Sequence, residues 1–340
     1  MTRRSPLPVR NGVNATRLRV PLSGPWETVH EYVLETFSHL DPASITGRFD
    51  TDEVVDAHGR PLSTRTALGS TEFIWYYRTL AEEPVLPVTE HVLHEDEHLL
   101  VADKPHFLPT TPAGRYVQQS LLVRLRNRLG LDDLTPIHRL DRGTAGLVLF
   151  AKQSGTRGKY QQLFEHQQVS KTYECVSPLP VGTDPEAVSS RFPVTVRNRI
   201  KKTKGVVVSE RIAYPDRDSG GRPEHRRLPQ RRSRRTTAIA GANSASRIEL
   251  LRSGLNRNHD DVGRFRLTPY TGKTHQLRIH MALLGLGIMH DRFYPELWPD
   301  APDDFQAPLQ LLASTLSFTD PITCQPRTFS SARRLVEAPV

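Results

Sequence analysis

The sequence predicts an α+β protein of two unequal domains. Apolar runs of strand length, LVLF at 147–150, KTYECVS at 171–177, SRIELL at 246–251 and GRFRLT at 263–268, cluster with only a few stretches of helical period. Strands grouped with two or three helices read as α+β. A length of 340 residues leaves room for two domains, and the stretch around Pro84 and Pro87 has the composition of a linker.

Taken in order, residues 1–16 read as a basic disordered tail. A small N-terminal α/β domain follows over 17–80. It holds an amphipathic stretch with Val29, Tyr32, Val33 and Phe37 at helical spacing, and then the strand-like run FIWYYR at 73–78. Beyond the linker, HLLVADKPHFLPT gives a strand and a Lys-Pro turn, and Leu121, Leu122, Leu125 and Leu129 mark one face of a helix that Gly130 closes. The run Leu147, Val148, Leu149, Phe150 reads as a buried strand, with Gly143 and Gly146 permitting the bend before it. Tyr160, Leu163 and Phe164 mark another helix. The strand KTYECVS follows, and strands are expected near GVVVSERIAY, SRIELL and GRFRLT. A last helix starts at Thr274, with Leu277, Met281 and Leu284 at i, i+4, i+7 giving it a buried face. A basic flexible insertion, 215–245, interrupts the strands. Between Pro215 and Arg235 it carries eight arginines against three acids, a charge run fit either to stay solvated or to grip phosphates.

Charge narrows the function. A formal net charge of +9 and a pI near 9.7 favour an anionic partner over a neutral metabolite. No apolar run approaches a membrane span, and the first residues lack an apolar signal core, so a cytoplasmic location is expected. Cys175 and Cys324 are the only cysteines and support neither a disulfide framework nor a cysteine-based zinc site. His91, His94 and His98, with Glu95 and Asp96, lie in a polar turn before a strand and are not read as a metal site. Gly272-Lys273-Thr274 fails as a phosphate-binding loop, because the upstream glycine that spacing requires falls on Leu267.

The most informative segment is HRLDRGTAGLVLFAK, His138 to Lys152, which sets Asp141 in a basic turn directly before a buried strand. It resembles the signature of the RluA-type pseudouridine synthases, in which H-R-L-D precedes a Thr, a small residue, a Gly and a strand ending Phe-Ala-Lys. Thr144, Ala145, Gly146, Phe150, Ala151 and Lys152 occupy those positions, with Ala145 where many relatives have Ser. Two further blocks match in order. VSKTYECV supplies the family's Lys-x-Tyr as Lys171 and Tyr173, and TGKTHQLRIH matches its Thr-Gly-Arg-Thr-His-Gln-Ile-Arg-x-His with Lys273 in place of the first Arg. In GLGIMHDRFYP, Asp291 and Tyr294 match while His290 stands where Gly is usual.

The resemblance covers about 88–335, taken as the catalytic domain. It implies a mixed, largely antiparallel central sheet with flanking helices, and isomerisation of specific uridines in ribosomal or transfer RNA. Asp141 would act as nucleophile or as the base removing the ribose 2′ proton. Tyr173 would stack on the uracil and take the C5 proton, and Arg278 would pair with the catalytic Asp. Arg139 would fill the space that the flipped nucleotide vacates, with His138, Lys171, Lys273 and His275 also at the RNA. No cofactor or metal is implied, and a monomer is expected. The N-terminal domain resembles, in its order of elements, the small S-four-like RNA-binding domain. A noncatalytic RNA-binding protein is the rival reading, but binding alone would not require Asp141, Tyr173 and Arg278 together. A glycoside hydrolase would need a second carboxylate beside Asp141.

Overall fold

A computed structural model describes residues 5–78, 82–180, 182, 184–201, 210–212, 241–297 and 302–340. In chain order the elements are β1 (Thr16–Arg19), α1 (Val29–Thr36), α2 (Pro42–Asp50), β2 (Phe73–Tyr76), β3 (His91–Glu95), β4 (Leu99–Lys104), α3 (Leu121–Leu129), β5 (Thr135–Pro136), β6 (Ala145–Ala151), α4 (Ser154–Glu165), β7 (Ser170–Pro178), α5 (Pro185–Ser189), β8 (Val194–Lys201), β9 (Glu210–Ile212), β10 (Ser244–Leu255), β11 (Asp261–Pro269), α6 (Gln276–Leu283), β12 (Leu311–Thr319) and β13 (Pro326–Ser330). They form two compact units, Met1–Val85 with Thr111–Asp132, and Leu86–Thr110 with Asp133–Val340.

In the first unit β1 pairs antiparallel with β2. Helix α1 starts at Thr28, whose hydroxyl accepts from the Glu31 amide, and it buries Val29 and Val33. Helix α2 was not anticipated, although its start signal is in the sequence. Asp41 caps the Ala43 and Ser44 amides and Pro42 opens the first turn. Its Ile45 and Phe49 complete a core with Val20, Val29, Val33, Val54, Leu62 and Ile74.

Two expectations are corrected here. Residues 5–16 are not a free tail: Arg10 and Val13 pair their backbones, and the buried Arg126 guanidinium donates to Gly12 O at 3.0 Å and Asn14 Oδ1 at 3.2 Å. Residues 1–4 lie outside the described residues. Helix α3, closed by Gly130 at φ +67° as expected, groups with this unit and not with the expected 88–335 domain. Its buried Arg126 ties it there.

The second unit is built on one 11-stranded sheet, ordered β3-β4-β6-β12-β7-β11-β10-β8-β9, with β5 on β6 and β13 on β12. All its pairs are antiparallel except β6 with β12, so the sheet is mixed and largely antiparallel and the class is α+β. Strand β6 is buried along its whole length, which explains its unbroken apolar run. Helix α6 packs Leu277 and Met281 against Cys175, Ile248, Phe265 and Leu267 on one face. Tyr160 and Leu163 of α4 pack against Leu99, Val101, Leu147 and Leu149. Of GVVVSERIAY, residues 210–212 form β9. Residues 215–240 of the insertion lie outside the described residues, and its end, Ser244 and Ala245, opens β10.

Gly146 has a requirement the motif alone does not reveal. Its φ is +112°, and a Cβ there would stand 2.2 Å from Ala313 O, at the parallel pairing of β6 with β12. A Gly146→Ala variant is expected to lose about 3 kcal/mol or more from backbone strain and overpacking together. A urea midpoint close to wild type would overturn this.

Candidate active site

Asp141 sits in the turn leading into β6, with Thr144 N–H donating to its carbonyl at 3.1 Å. The turn is stitched to residues 104–110 at its backbone. Thr110 Oγ1 donates to Leu140 O at 2.8 Å and accepts from Leu140 N–H at 3.1 Å. His106 Nδ1 lies 2.7 Å from Gly143 O. Lys104, fully buried, donates to Pro105 O, Leu108 O and Arg142 O at 2.9, 2.8 and 3.3 Å. Burial pushes the Lys104 ammonium down to about 7, against the opposing charge of Asp141. Residues on both sides of Asp141 are thus fixed while its carboxylate is not. Its side chain is 34% exposed, and it accepts no hydrogen bond from the described residues.

A guanidinium and an imidazole face that carboxylate. Arg278 Nη1 and His275 Nε2 each stand 3.7 Å from Asp141 Oδ2, within electrostatic reach but beyond hydrogen-bond distance. Arg278 is held from behind by Asp291: its Nε donates to Oδ2 at 2.8 Å and its Nη2 to Oδ1. Asp291 is fully buried and also accepts the Phe293 and Tyr294 amides. Burial works against the Arg278 charge, but Asp291 and then Asp141 outweigh it and hold the guanidinium protonated. The expected Arg278–Asp141 pair is therefore an approach of a cation anchored elsewhere. His275 has φ +58° at the start of α6 and its Nδ1 lies 3.0 Å from the Tyr294 hydroxyl. This aims its other nitrogen at Asp141.

Tyr173 lies on β7 between Leu267 of β11 and Ala313 of β12. Its ring packs on the cluster under α6. Burial, and next the charge of Asp141, push its phenol above the ordinary value. The reach of the Asp141 charge to this phenol puts Tyr173 in one site with Asp141, Arg278 and His275.

The remaining sequence-read residues divide. Arg139 and Lys273 are exposed, and their side chains have no partner among the described residues. Lys171 is partly buried, its ammonium 6.0 Å from the centre of the Phe164 ring, and burial lowers its pKa. His138 has a structural role of its own. Its ring stacks on Phe164 at 4.7 Å and its Nε2 accepts from Leu149 N–H at 3.2 Å, so it serves the β6 anchor. His290 keeps the turn that its substitution for Gly put in question. It adopts φ +62°, with its Nδ1 3.1 Å from Pro308 O. Lys104, His106 and Thr110, which hold the Asp141 turn, and Asp291, which holds Arg278, are the positions that motif reading left out of the site. The Asp-x-x-Tyr spacing was the available signal for Asp291; the other three act through pairing that no local pattern shows. Among the described residues no group of three or more His, Cys, Asp or Glu is placed to hold a metal ion.

Burial leaves three imidazoles hard to protonate: His138 falls to about 3, and His106 and His280 to about 4. An unfolded chain takes up those protons near pH 6.5, so the unfolded state binds more protons below that value and stability is lost as pH falls from about 6.5 toward 4. The slope is at most about 1.4 kcal/mol per pH unit for each ring. Urea midpoints that fail to fall between pH 7 and 5 would contradict it.

The site belongs to a class of RNA-modifying fold. A family model described as RNA pseudouridylate synthase matches residues 98–283, more than half of the chain and the whole span from Lys104 to Arg278. The chain belongs to this RNA pseudouridylate synthase family. It is 30% identical over 214 residues to "Pseudouridylate synthase RPUSD2" of Mus musculus, covering 63% of this chain and 32% of that protein. It is therefore similar to about a third of that relative's length. With "Dual-specificity RNA pseudouridine synthase RluA" of Haemophilus influenzae it shares 27% identity over 243 residues, 71% of this chain and 91% of the relative. The solved structure titled "Human RNA Pseudouridylate Synthase Domain Containing 1" superposes with a TM-score of 0.52 at 19% identity, covering 74% of this chain and 86% of that one, a likeness of fold. No helix among the described residues is long and apolar enough to cross a membrane.

Proposed function

We propose that this chain isomerises uridine to pseudouridine within RNA, with Asp141 as the essential carboxylate. The observation that carries the reading is the convergence at Asp141: a carboxylate that accepts no hydrogen bond from the described residues, the Arg278 guanidinium and the His275 imidazole each 3.7 Å away, and Tyr173 close enough to feel its charge. The reaction must break the C1′–N1 bond, turn the uracil over and rejoin it through C5. That asks for a carboxylate at the sugar, a flat surface for the free base and an acceptor for the C5 proton. Asp141 supplies the first, as nucleophile or as base toward the 2′ proton. Tyr173 supplies the second, and its hydroxyl is the candidate for the third.

Arg278 is proposed to keep Asp141 ionised and oriented, since a fixed cation favours the charged form. Arg139, exposed beside Asp141 in sequence, is proposed to fill the stack when the target nucleotide is flipped, at an unstacking cost of a few kcal/mol. The partner is ribosomal or transfer RNA in the cytosol, and no step calls for a metal or redox cofactor. The test is release of tritium from C5-labelled uridine in RNA by the purified full chain, with pseudouridine mapping at single-nucleotide resolution in a deletion strain. RNA that the chain binds without any tritium release would support the noncatalytic reading instead.

A further inference from the structure

Strands β8, β10 and β11 have a second face that the chemistry above does not use. Ile248, Phe265 and Leu267 are buried on the α6 side with Tyr173. Side chains alternate across a strand, so Arg247, Arg264 and Arg266 emerge on the opposite side. The register sets Arg247 against Thr195 and Thr268, and Arg266 against Glu249 and Glu174. On β8, Arg197, Arg199 and Lys201 are exposed and alternate with the buried Asn198 and Ile200. This face thus presents six basic side chains against Glu174 and Glu249.

The charge is only partly neutralised. Arg247 pairs with Glu249 at 3.0 Å and Arg264 with Glu174 at 2.8 Å, while the side chains of Arg197, Lys201 and Arg266 have no partner among the described residues. One end of the face is closed, where Val176, Val262 and Leu312 pack under Leu335 and Arg252 donates to Val340 O at 2.6 Å. At the open end stands Tyr270, 47% exposed. Its backbone N–H bonds Ala245 O at 2.9 Å, and it lies near enough to Arg247 to affect that guanidinium's charge environment.

We propose that this face is a second RNA surface, taking the phosphates of an unpaired segment on its arginines and one base on Tyr270. The partner chemistry rests on the reading of the chain as an RNA enzyme; the location does not. Neighbouring strands lie about 4.8 Å apart and same-face residues about 6.7 Å apart along a strand, so the cations form a flat grid that follows a backbone. An exposed aromatic ring beside such a grid is a stacking platform for unpaired bases of any sequence. A membrane-surface site would need a continuous apolar face to insert, whereas the large exposed hydrophobic side chains on this face among the described residues are Tyr270 and, at the β10 bulge, Leu251, set among charged neighbours. Because Tyr173 lies on the other side of the sheet, the RNA held here is a part of the substrate away from the target uridine. The surface should matter for long RNA and not for a hairpin that only fills the cleft.

The test uses the full chain and the triple variant Arg197→Gln, Lys201→Gln, Arg266→Gln, which removes only exposed side chains without partners among the described residues. Binding is measured against salt for a short hairpin and for the same hairpin with a single-stranded extension of about 20 nucleotides, with tritium release followed on both. For the extended RNA the salt slope should drop by about 2, at about 0.7 per lost contact, and Tyr270→Ala should weaken its binding about tenfold. Affinity and turnover on the short hairpin should stay at wild-type values. An unchanged salt slope on the extended RNA overturns the proposal, as does equal weakening on both RNAs. Loss of binding to phosphatidylserine vesicles with RNA binding intact would also overturn it. If wild type releases no tritium from either RNA yet the slope falls in the variant, the surface stands and the catalytic reading fails.

Discussion

Asp141→Asn is expected to abolish isomerisation, with tritium release falling about 10⁴-fold or more, while RNA affinity and folding stay close to wild type. The structure separates these effects. The Asp141 carboxylate accepts no hydrogen bond from the described residues, so the amide strands no donor in the fold. Arg278 keeps its counter-ion, because its two-pronged partner is the buried Asp291 and not Asp141. The turn itself is held through Leu140, Arg142 and Gly143 backbone atoms, none of which the substitution touches. What disappears is the negative oxygen proposed to attack the sugar or take its 2′ proton. Circular dichroism and urea midpoints serve as the control, and activity within tenfold of wild type would remove Asp141 from the proposed role. The contrasting variant Asp291→Asn should damage both readouts, since it leaves the Arg278 charge buried and underpaired.

The same separation marks what the sequence could disclose. β6 was legible as an unbroken apolar run, Leu147 to Phe150, because both its faces are buried, and α1 and α6 because each buries one face, with Val29 and Val33, and Leu277 and Met281, at helical spacing. Helix α2 buries only Ile45 and Phe49, one repeat of helical spacing, and its Asp41-Pro42 start was the remaining signal. The assignment of α3 to the first unit hangs on Arg126, whose buried bonds reach residues more than a hundred positions away in sequence. No local pattern carries that. In the site, Asp141, Tyr173, His275 and Arg278 were legible through three ordered motifs. For His138, in the first of them, the motif gives identity and spacing but not which way the ring turns, and the ring stacks on Phe164. Lys104 and Thr110 were illegible for the opposite reason: their backbone partners lie some thirty to forty residues on.

Tyr173→Phe is expected to keep RNA affinity within about threefold, since the ring that packs on the α6 cluster is retained, and to lower turnover by about 10²–10⁴-fold, the usual worth of a positioned proton-transfer group. The pH dependence sharpens this. Burial and the neighbouring Asp141 charge raise the phenol above its ordinary value of about 10, so at neutral pH nearly every molecule carries the protonated hydroxyl. If the phenolate must receive the C5 proton, the single-turnover rate of wild type should climb tenfold per pH unit through the neutral range and level off only above about pH 10. The residual rate of Tyr173→Phe should show no such climb. A flat wild-type profile together with an inactive Phe variant would instead assign the hydroxyl to hydrogen-bonding the turned base, leaving the proton to another acceptor. A Phe variant with full activity would reduce Tyr173 to a packing surface. Because the protonated phenol is the favoured form beside Asp141, the proton-acceptor role requires the climbing profile, and its absence is sufficient to reject that role while leaving the stacking role intact.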